Sequence, residues 1–452
     1  ELRDASPTPW LDLPVTVMAQ NLYVEGHYTS GNEEEHSKIW EKIWQANGGD
    51  ALQIPIHRGA LGHGLAHIVA RWGTSSFSKE RMIRLRGSSA LRGCAVWREG
   101  DDSEFPEFYI EAYEQQLENG TTTWVVELID EWGNHDLRYG NEGVGGENEW
   151  VYIDGKPHGA GVCPVVCFRN RTDLDGNVQG EVIPFIPLAK RIDQDTFDRL
   201  IVQRFGSWKI RTIAGIKQPE TKAGQEELAR ILRVNDLLIS DNPETRFGTL
   251  DHTPLDGYIA ARDADIRDLA AVSQTPPHHL LGLSPNVSAE GLVEAQASLM
   301  RKVQERQHSF GESWELVMRL GAHMLGFREI AEDFNAQVRW RDTEVRSFQQ
   351  VADALGKLAT MVEVPVEMLW RELPNWTQQD IERAKKLREE AMQEAELLAM
   401  LEAGLDAPAS GGPGTPTSSA GGPMGLTDEE QRRLNRMRGG YGPDWDGDGK
   451  PN

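Results

Sequence analysis

The feature that most constrains this chain is the stretch from Asp256 to Leu325, which reads as a helix, a Pro-rich loop and a much longer helix. In the longer helix Leu292, Gln296, Leu299, Val303, Arg306, Phe310, Trp314, Val317, Gly321 and Met324 recur every three or four residues. That spacing winds one mostly apolar stripe along a rod. Ser288 is the expected N-cap, and Glu290 places a negative charge in the first turn, where the helix dipole favours it. Unbroken to Leu325, the rod spans roughly 57 Å at ~1.5 Å per residue, longer than a compact domain needs. Gly311 inside it costs about 1 kcal/mol relative to alanine and predicts a bend.

The loop that feeds this rod has two stiff ends. Pro276 and Pro277 cannot continue a helix and push Thr275 out of the helical region, while Pro285 and Asn286 repeat the signal before Ser288. A short turn over His278–Leu281 is held between them, with bends expected at Thr275–Pro276 and near Pro285–Ser288. The run VSQTPPHHLLGLS, then a helix start rich in small and acidic residues, then LMRKVQERQHSFGESWELVMRL, resembles the tunnel-loop and long-helix region of portal proteins of tailed bacteriophages, actinophage portals in particular.

The chain has 452 residues, enough for two to four domains and an ample core. No run of about 18 uncharged apolar residues is present, so no membrane span is expected. The opening ELRDASPTPW has neither a basic segment nor an apolar core, so no secretory signal is visible. A formal net charge of −24 argues against a tight grip on DNA, because such grip comes from neutralising phosphates. It does not exclude DNA passing nearby. The three cysteines, Cys94, Cys163 and Cys167, give no disulfide framework and fit a reducing compartment.

Residues 1–75 read as mostly helix and loop. Within EEEHSKIWEKIW, Ile39, Trp40, Ile43 and Trp44 share a face. His63 and His67 are four apart and would lie on one helical turn, as zinc ligands do. No Glu follows His63 as in a zinc-protease motif, so packing is the reading taken and a metal-dependent hydrolase the alternative. Residues 76–184 change to short alternating or β-branched runs separated by NG, GN, GVGG and DG turns, an antiparallel insertion. Its Trp97, Trp124, Trp132 and Trp150 belong either in its core or at a protein interface. Cys163 and Cys167 read as buried thiols rather than zinc ligands.

Residues 185–211 form a helix opening near Pro187, with Ile192, Phe197, Leu200, Ile201, Phe205 and Trp208 as its apolar stripe. Between it and Asp256–Val272, residues 212–254 read as a small αβ unit: a helix from Gly224 to Val234, then a strand, turn and strand in DLLISDNPETRFGTL. Ala336–Arg341 reads as a strand returning to the β-rich region. Val345–Leu401 is helical again, with Thr377 as an N-cap and Asp380 as an early acid. Residues 406–425 cannot bury apolar area and are expected to be disordered. Thr427 and Glu430 form a capping box for a short helix. Asp444, Asp446 and Asp448 with Gly449 match only the front half of a calcium loop, so a solvated acidic tail is preferred over calcium.

No P-loop, nucleophile elbow, HExxH or paired CxxC occurs, so neither catalytic residues nor a cofactor or metal is expected. A chain serving DNA translocation without a P-loop needs a separate motor. The resemblance implies an α+β portal fold. Its parts would be an N-terminal wing with a β-rich insertion (1–184), stem helix 1 (185–211), a clip (212–254), stem helix 2 (255–274) and a tunnel loop (275–288). A long helix with a wing return strand (289–344), a helical crown (345–404) and a tail (405–452) would follow. The tunnel-loop residues would be Thr275, Pro276, Pro277, His278, His279, Leu283, Ser284, Pro285, Asn286, Val287 and Ser288. DNA-facing candidates on the stem are Lys190, Arg191, Arg204, Lys209, Arg211, Arg262 and Arg267. Asp241, Asn242, Glu244 and Arg246 are the candidate partner-binding residues of the clip.

The resemblance further implies a homo-oligomeric ring, a dodecamer, at one capsid vertex of the virion, assembled in the host cytoplasm. Its partners would be a terminase motor, a head-to-tail connector, the major capsid and scaffolding proteins, and double-stranded DNA in the channel, with no membrane. A head-to-tail adaptor ring is the other phage alternative, but adaptors are shorter and lack this combination of parts.

Overall fold

The computed structural model describes residues 2–28, 33–98, 100, 103–116, 120, 122–139, 150–206, 211–214, 220–226, 243–249, 253–282, 289–342, 348–362, 364–373, 376 and 378–405. It is a mixed helix and sheet protein with two compact units, residues 1–385 and 386–452. The core of the first unit forms around one long helix. Ahead of that helix in sequence come α1 (Asp12–Gln20), β1 (Val24–Tyr28), α2 (Glu33–Ile39) and α3 (Gly49–His63). Nine strands in all precede the helix pair: β1, then β2 (Leu65–Thr74), β3 (Arg81–Ser89), β4 (Gly93–Val96), β5 (Phe108–Gln116), β6 (Thr122–Ile129), β7 (Gly133–Tyr139), β8 (Trp150–Pro157) and β9 (Val165–Arg169), among the described residues. The remaining elements are α4 (Ile186–Gly206), β10 (Arg211–Ala214), β11 (Arg246–Thr249), α5 (Asp256–Ser273), α6 (Pro277–Leu281), α7 (Ala289–Leu325), α8 (Arg328–Ala331), β12 (Gln337–Trp340), α9 (Phe348–Met361), α10 (Val366–Leu369) and α11 (Gln378–Leu405).

Helix α7 runs 37 residues, about 55 Å at ~1.5 Å per residue, and continues helical through Gly311. Leu299, Val303, Arg306, Phe310, Trp314 and Val317 of the expected stripe are all buried. Trp314 is its anchor: the ring meets Trp44 and Phe168 edge-on, each with centroids 4.9 Å apart. Its Nε1–H donates to Nε2 of His57 at 2.8 Å, and His57 Nδ1 donates to the Leu22 carbonyl at 3.1 Å. Those two bonds occupy both ring nitrogens of a neutral imidazole in one tautomer. Burial pushes the His57 pKa down to about 4.

After α2 the chain widens into a π-helical turn, Trp40–Trp44, where Trp40 and Trp44 stack 4.8 Å apart at 12°. Ile39, Trp40, Ile43 and Trp44 are all buried, as their spacing required. Two glycines let neighbouring elements close on this turn. A Cβ at Gly49 would sit 2.3 Å from the Trp44 ring, and one at Gly321 of α7 would sit 2.6 Å from Ile43 Cδ1.

Three sheets involve the first 170 residues. β3-β2-β9 forms one and β4-β5-β6-β7-β8 another, both antiparallel. β1 pairs with β12, so Ala336–Arg341 returns to the N-terminal strand and not to the β-rich insertion. The stretch LAHIVARWGT is a strand, which corrects the helix-and-loop reading of residues up to 75. α3 stops at His63, Gly64 turns the chain at φ +89°, and β2 follows. The free edge of β9 lies under α7, where Ser309 Oγ donates to the Arg169 carbonyl (3.0 Å) and Ser313 Oγ to that of Cys167 (3.1 Å). An i, i+4 serine pair thereby satisfies an otherwise open sheet edge.

The two larger sheets face each other through two buried carboxylates, Glu111 and Glu127, each paired with a more exposed arginine. Arg86 donates to both carboxylate oxygens of Glu111, one contact at 2.8 Å, and Arg71 pairs with Glu127 at 2.6 Å. Burial opposes ionisation of Glu111, but the hydrogen bonds and charge of Arg86 outweigh it and hold the carboxyl below its usual range.

Candidate functional site: the helix pair and its loop

Helices α4 and α5 lie against each other and share a small apolar base with α6. Phe185, Ile192, Ile266, Leu269, Ala270 and Leu280 are buried together there. Beyond that base the pair is largely exposed, including Phe205 (74%), Ile259 (41%) and Val272 (57%). The expected first helix ends at Gly206, and Arg211 opens strand β10 instead of closing the helix. β10 pairs antiparallel with β11, Arg211 opposite Thr249 and Ala214 opposite Arg246, so a two-stranded ribbon ties the sequence flanks of the insertion together. Residues 222–226 are helical, as expected from Gly224 onward. The rest of that helix, the expected strand before Asp241, and Asp241 and Asn242 themselves lie outside the described residues, while Glu244 and Arg246 are exposed.

The stem bases do not form one basic strip. Arg191 makes a two-pronged bond across to α5, Nε and Nη2 each 2.7 Å from Asp265, with Asp268 at 3.6 Å. The Asp265 hydrogen bond raises the Arg191 pKa further. Arg262 is held by Asp263 at 3.0 Å. Around them, burial and the nearby Asp265 and Asp198 charges raise the Asp195 pKa. Lys190 and Arg267 are exposed, and no salt bridge to either is found among the described residues; Arg204 is also exposed. Lys209 lies outside the described residues, and for Arg211 only the backbone is described. Asp193, a neighbouring acid, accepts from the Thr8 backbone at 3.1 Å and pins the N-terminal segment to α4.

The first half of the loop is fixed to the protein. Gln274 takes the left-handed conformation (φ 56°), Thr275 N–H donates to the Ala270 carbonyl at 3.0 Å, and Gln274 N–H to that of Ala271 at 3.3 Å. This pair of bonds is a Schellman cap closing α5. Thr275 is 3% exposed, and Pro276 and Leu280 are buried. Pro277, His278 and His279 form the one-turn helix α6, with the imidazole centroids 4.3 Å apart. Burial, with His278 beside it, lowers the His279 pKa. The expected bend at Thr275–Pro276 therefore sits in a packed cap. A second left-handed residue, Gly282 (φ 62°), ends α6. Leu283, Ser284, Pro285, Asn286, Val287 and Ser288 lie outside the described residues, so the Ser288 cap does too.

One set of residues escaped the sequence reading. Glu181 (0% exposed), Lys302 (9%) and Arg306 (5%) form a buried ion cluster between the approach to α4 and the long helix. Lys302 Nζ contacts Glu181 and also donates to the Ser273 carbonyl, at the end of α5, at 3.0 Å. Burial lowers the Lys302 pKa against the opposing pull of Glu181. The cluster thus joins α5, α7 and the residues leading into α4. The signal for it was Arg306 on an otherwise apolar stripe.

His63 and His67 do not share a helical turn, and His67 packs in the core, the reading preferred over metal binding. His63 ends α3, and His67 lies buried in β2 with its ring 5.1 Å from Tyr109. Among the described residues no group of three or more His, Cys, Asp or Glu side chains is placed to hold a metal. Cys163 and Cys167 are free thiols, each pushed up to about 12 by burial. No described helix is long and apolar enough to cross a membrane.

The description of phage portal proteins of the SPP1 Gp6-like type matches residues 2–394. The portal protein of Mycobacterium phage D29 is 30% identical over 230 residues, 47% of this chain and 45% of that one. That of Mycobacterium phage L5 is 29% identical over 230 residues, with the same shares. The match thus spans about half the length of these curated relatives. Among solved structures, the neck of a native GTA particle computed with C12 symmetry aligns over 82% of this chain and 91% of its own, at 11% identity and a TM-score of 0.47.

Proposed function

The chain belongs to the SPP1 Gp6-like family of phage portal proteins, and on that premise we propose that it is one subunit of a ring at a capsid vertex through which double-stranded DNA is packaged, held and ejected. The family match over residues 2–394 carries the reading. The role is structural, not catalytic. In this reading α4 and α5 are the stem that walls the channel, and α7 is the long helix behind the tunnel loop. The β10–β11 unit is the clip that docks a terminase motor and later a connector. The β-rich insertion belongs to the wing, facing neighbouring subunits, capsid and scaffolding protein, and α9–α11 belong to the crown. The ring is a part of the virion, assembled in the host cytoplasm, and twelve copies is the proposed number.

The exposed Phe205, Ile259 and Val272 support a stem that is completed by neighbours, since a lone subunit would leave these side chains in water. The stem charges support weak, sequence-independent DNA contact. With Arg191 and Arg262 paired to aspartates within the same chain, Lys190 and Arg267 are the described bases best placed to meet phosphate. The test is genetic. Particles assembled without this chain are expected to contain no packaged DNA, and DNA-filled heads in its absence would refute the proposal.

A further inference from the structure

The five-stranded sheet has two unlike faces. Cross-strand partners in an antiparallel sheet share a face, so the register assigns each residue. Tyr109, Glu111, Val125, Glu127 and Ile129 point to the β2–β3 layer and are buried. Trp124, Val126 and Leu128 of β6 point the other way, together with Ile110 of β5, Leu137 of β7 and Tyr152 of β8. Ring contacts confirm the alignment: Tyr139 meets Trp150 edge-on at 5.2 Å, and His135 lies 6.0 Å from Tyr152. At the end of this face Trp132, Phe105, Phe108 and Leu128 line a cavity of about 440 Å³.

We propose that this outer sheet face is the seat for a second copy of the chain, so that each subunit of the ring lays part of its surface against the Trp124–Trp150–Tyr152 face of the next. The inference rests on the ring reading above. At ~150–250 Å² per aromatic side chain, the exposed fractions of Trp124 (47%), Trp132 (74%), Trp150 (50%) and Tyr152 (58%) amount to roughly 350–570 Å². The half-buried Ile110, Val126, Leu128, Leu137 and Tyr139 add to this. The sum is as large as the ~300–600 Å² of a typical monomer's largest apolar patch, which often marks an interaction site, and is a substantial share of the ~800 Å² per partner of a stable complex.

Each copy carries a net charge of −24, so two copies repel unless they meet where acids are scarce. On the described strand residues of this face the titratable side chains are Glu114 and His135, and the other charges gather at its end around the cavity, where Arg98, Glu107, Asp130 and Glu131 stand. A partner drawn in by charge would dock elsewhere. A face poor in charge along its centre and rich in Trp and Tyr, on rigid strands with little side-chain entropy to lose, suits self-association.

The test uses the full chain. Trp124→Glu and Tyr152→Glu, singly and together, are expected to abolish ring mass in sedimentation, with the thermal unfolding of the subunit kept because both side chains already face solvent. Rings of full mass from the double variant would overturn the proposal. Hydroxyl-radical footprinting of the wild type removes the folding question: oxidation of Trp124, Trp150 and Tyr152 should be lost in assembled rings relative to dissociated subunits. Rings whose face oxidises as fast as that of free subunits would defeat this inference and leave the ring reading standing. Wild-type chain that never assembles would defeat both.

Discussion

Acid should unfold this protein long before its carboxylates are neutralised, because three histidines are buried neutral. His57, His67 and His27 are each 0% exposed. Burial lowers their pKa values to about 4, about 4 and about 3, with His36 beside His27 adding to the last. The folded values lie below the unfolded value of about 6.5, so the unfolded chain takes up protons that the native state refuses. Their contribution is therefore complete above pH 6.5 and lost as pH falls toward 4. At pH 4.5 each histidine costs roughly 2–3 kcal/mol, and the three together about 8 kcal/mol, comparable to the ~5–15 kcal/mol that holds a typical domain. Between pH 6 and 5 the slope is close to three protons, about 4 kcal/mol per pH unit. Glu315, whose pKa burial raises, works slightly against this at the low end. Urea unfolding from pH 7.5 to 5, followed by circular dichroism, measures the slope. His57→Gln keeps an acceptor for Trp314 and should reduce the slope by one proton. A wild-type slope below one proton, or no change in the variant, would refute the reasoning.

Other consequences are simpler to state. Lys302→Met leaves Glu181 buried with only Arg306 at 3.8 Å, and should destabilise by roughly 3 kcal/mol; adding Glu181→Gln should restore much of it, and additive losses in the double-variant cycle would show that the pair is not coupled. Cys94 is exposed while the Cys163 and Cys167 thiols are pushed up to about 12, so a thiol reagent at pH 8 should modify one cysteine quickly and two only on unfolding. Trp314→Ala should cost about 3–5 kcal/mol in the same melts, since the ring closes the core between Trp44 and Phe168.

What was legible in the sequence follows physical rules. The α7 stripe was readable because a 3.6-residue period over ten turns leaves one interpretation, and even Arg306 in it is buried. The insertion was readable from alternation, as in β6, where exposed and buried residues alternate through Trp124, Val125 and Val126. β2 was not. Ala66–Ala70 are all buried on both faces, so the strand has no period of two, and its small residues mimic a packed helix. The partner of β12 was also hidden, because β1 lies more than 300 residues away and pairing register leaves no local mark. At the helix pair, the bases were visible as residue types. Nothing in spacing reveals that Arg191 reaches across to Asp265, 74 residues on. The packed first half of the loop was concealed for a similar reason: Leu280 is buried in a cluster with Phe185 and Ile192, about 90 residues earlier in the sequence.

The central claim is that the chain builds a ring. Negative-stain imaging of the purified full chain, paired with its mass in solution, tests it most directly. The expected result is a closed annulus with a central hole and a mass of roughly 600 kDa, twelve copies of 50.5 kDa. A stable monomer at every salt and protein concentration would contradict it.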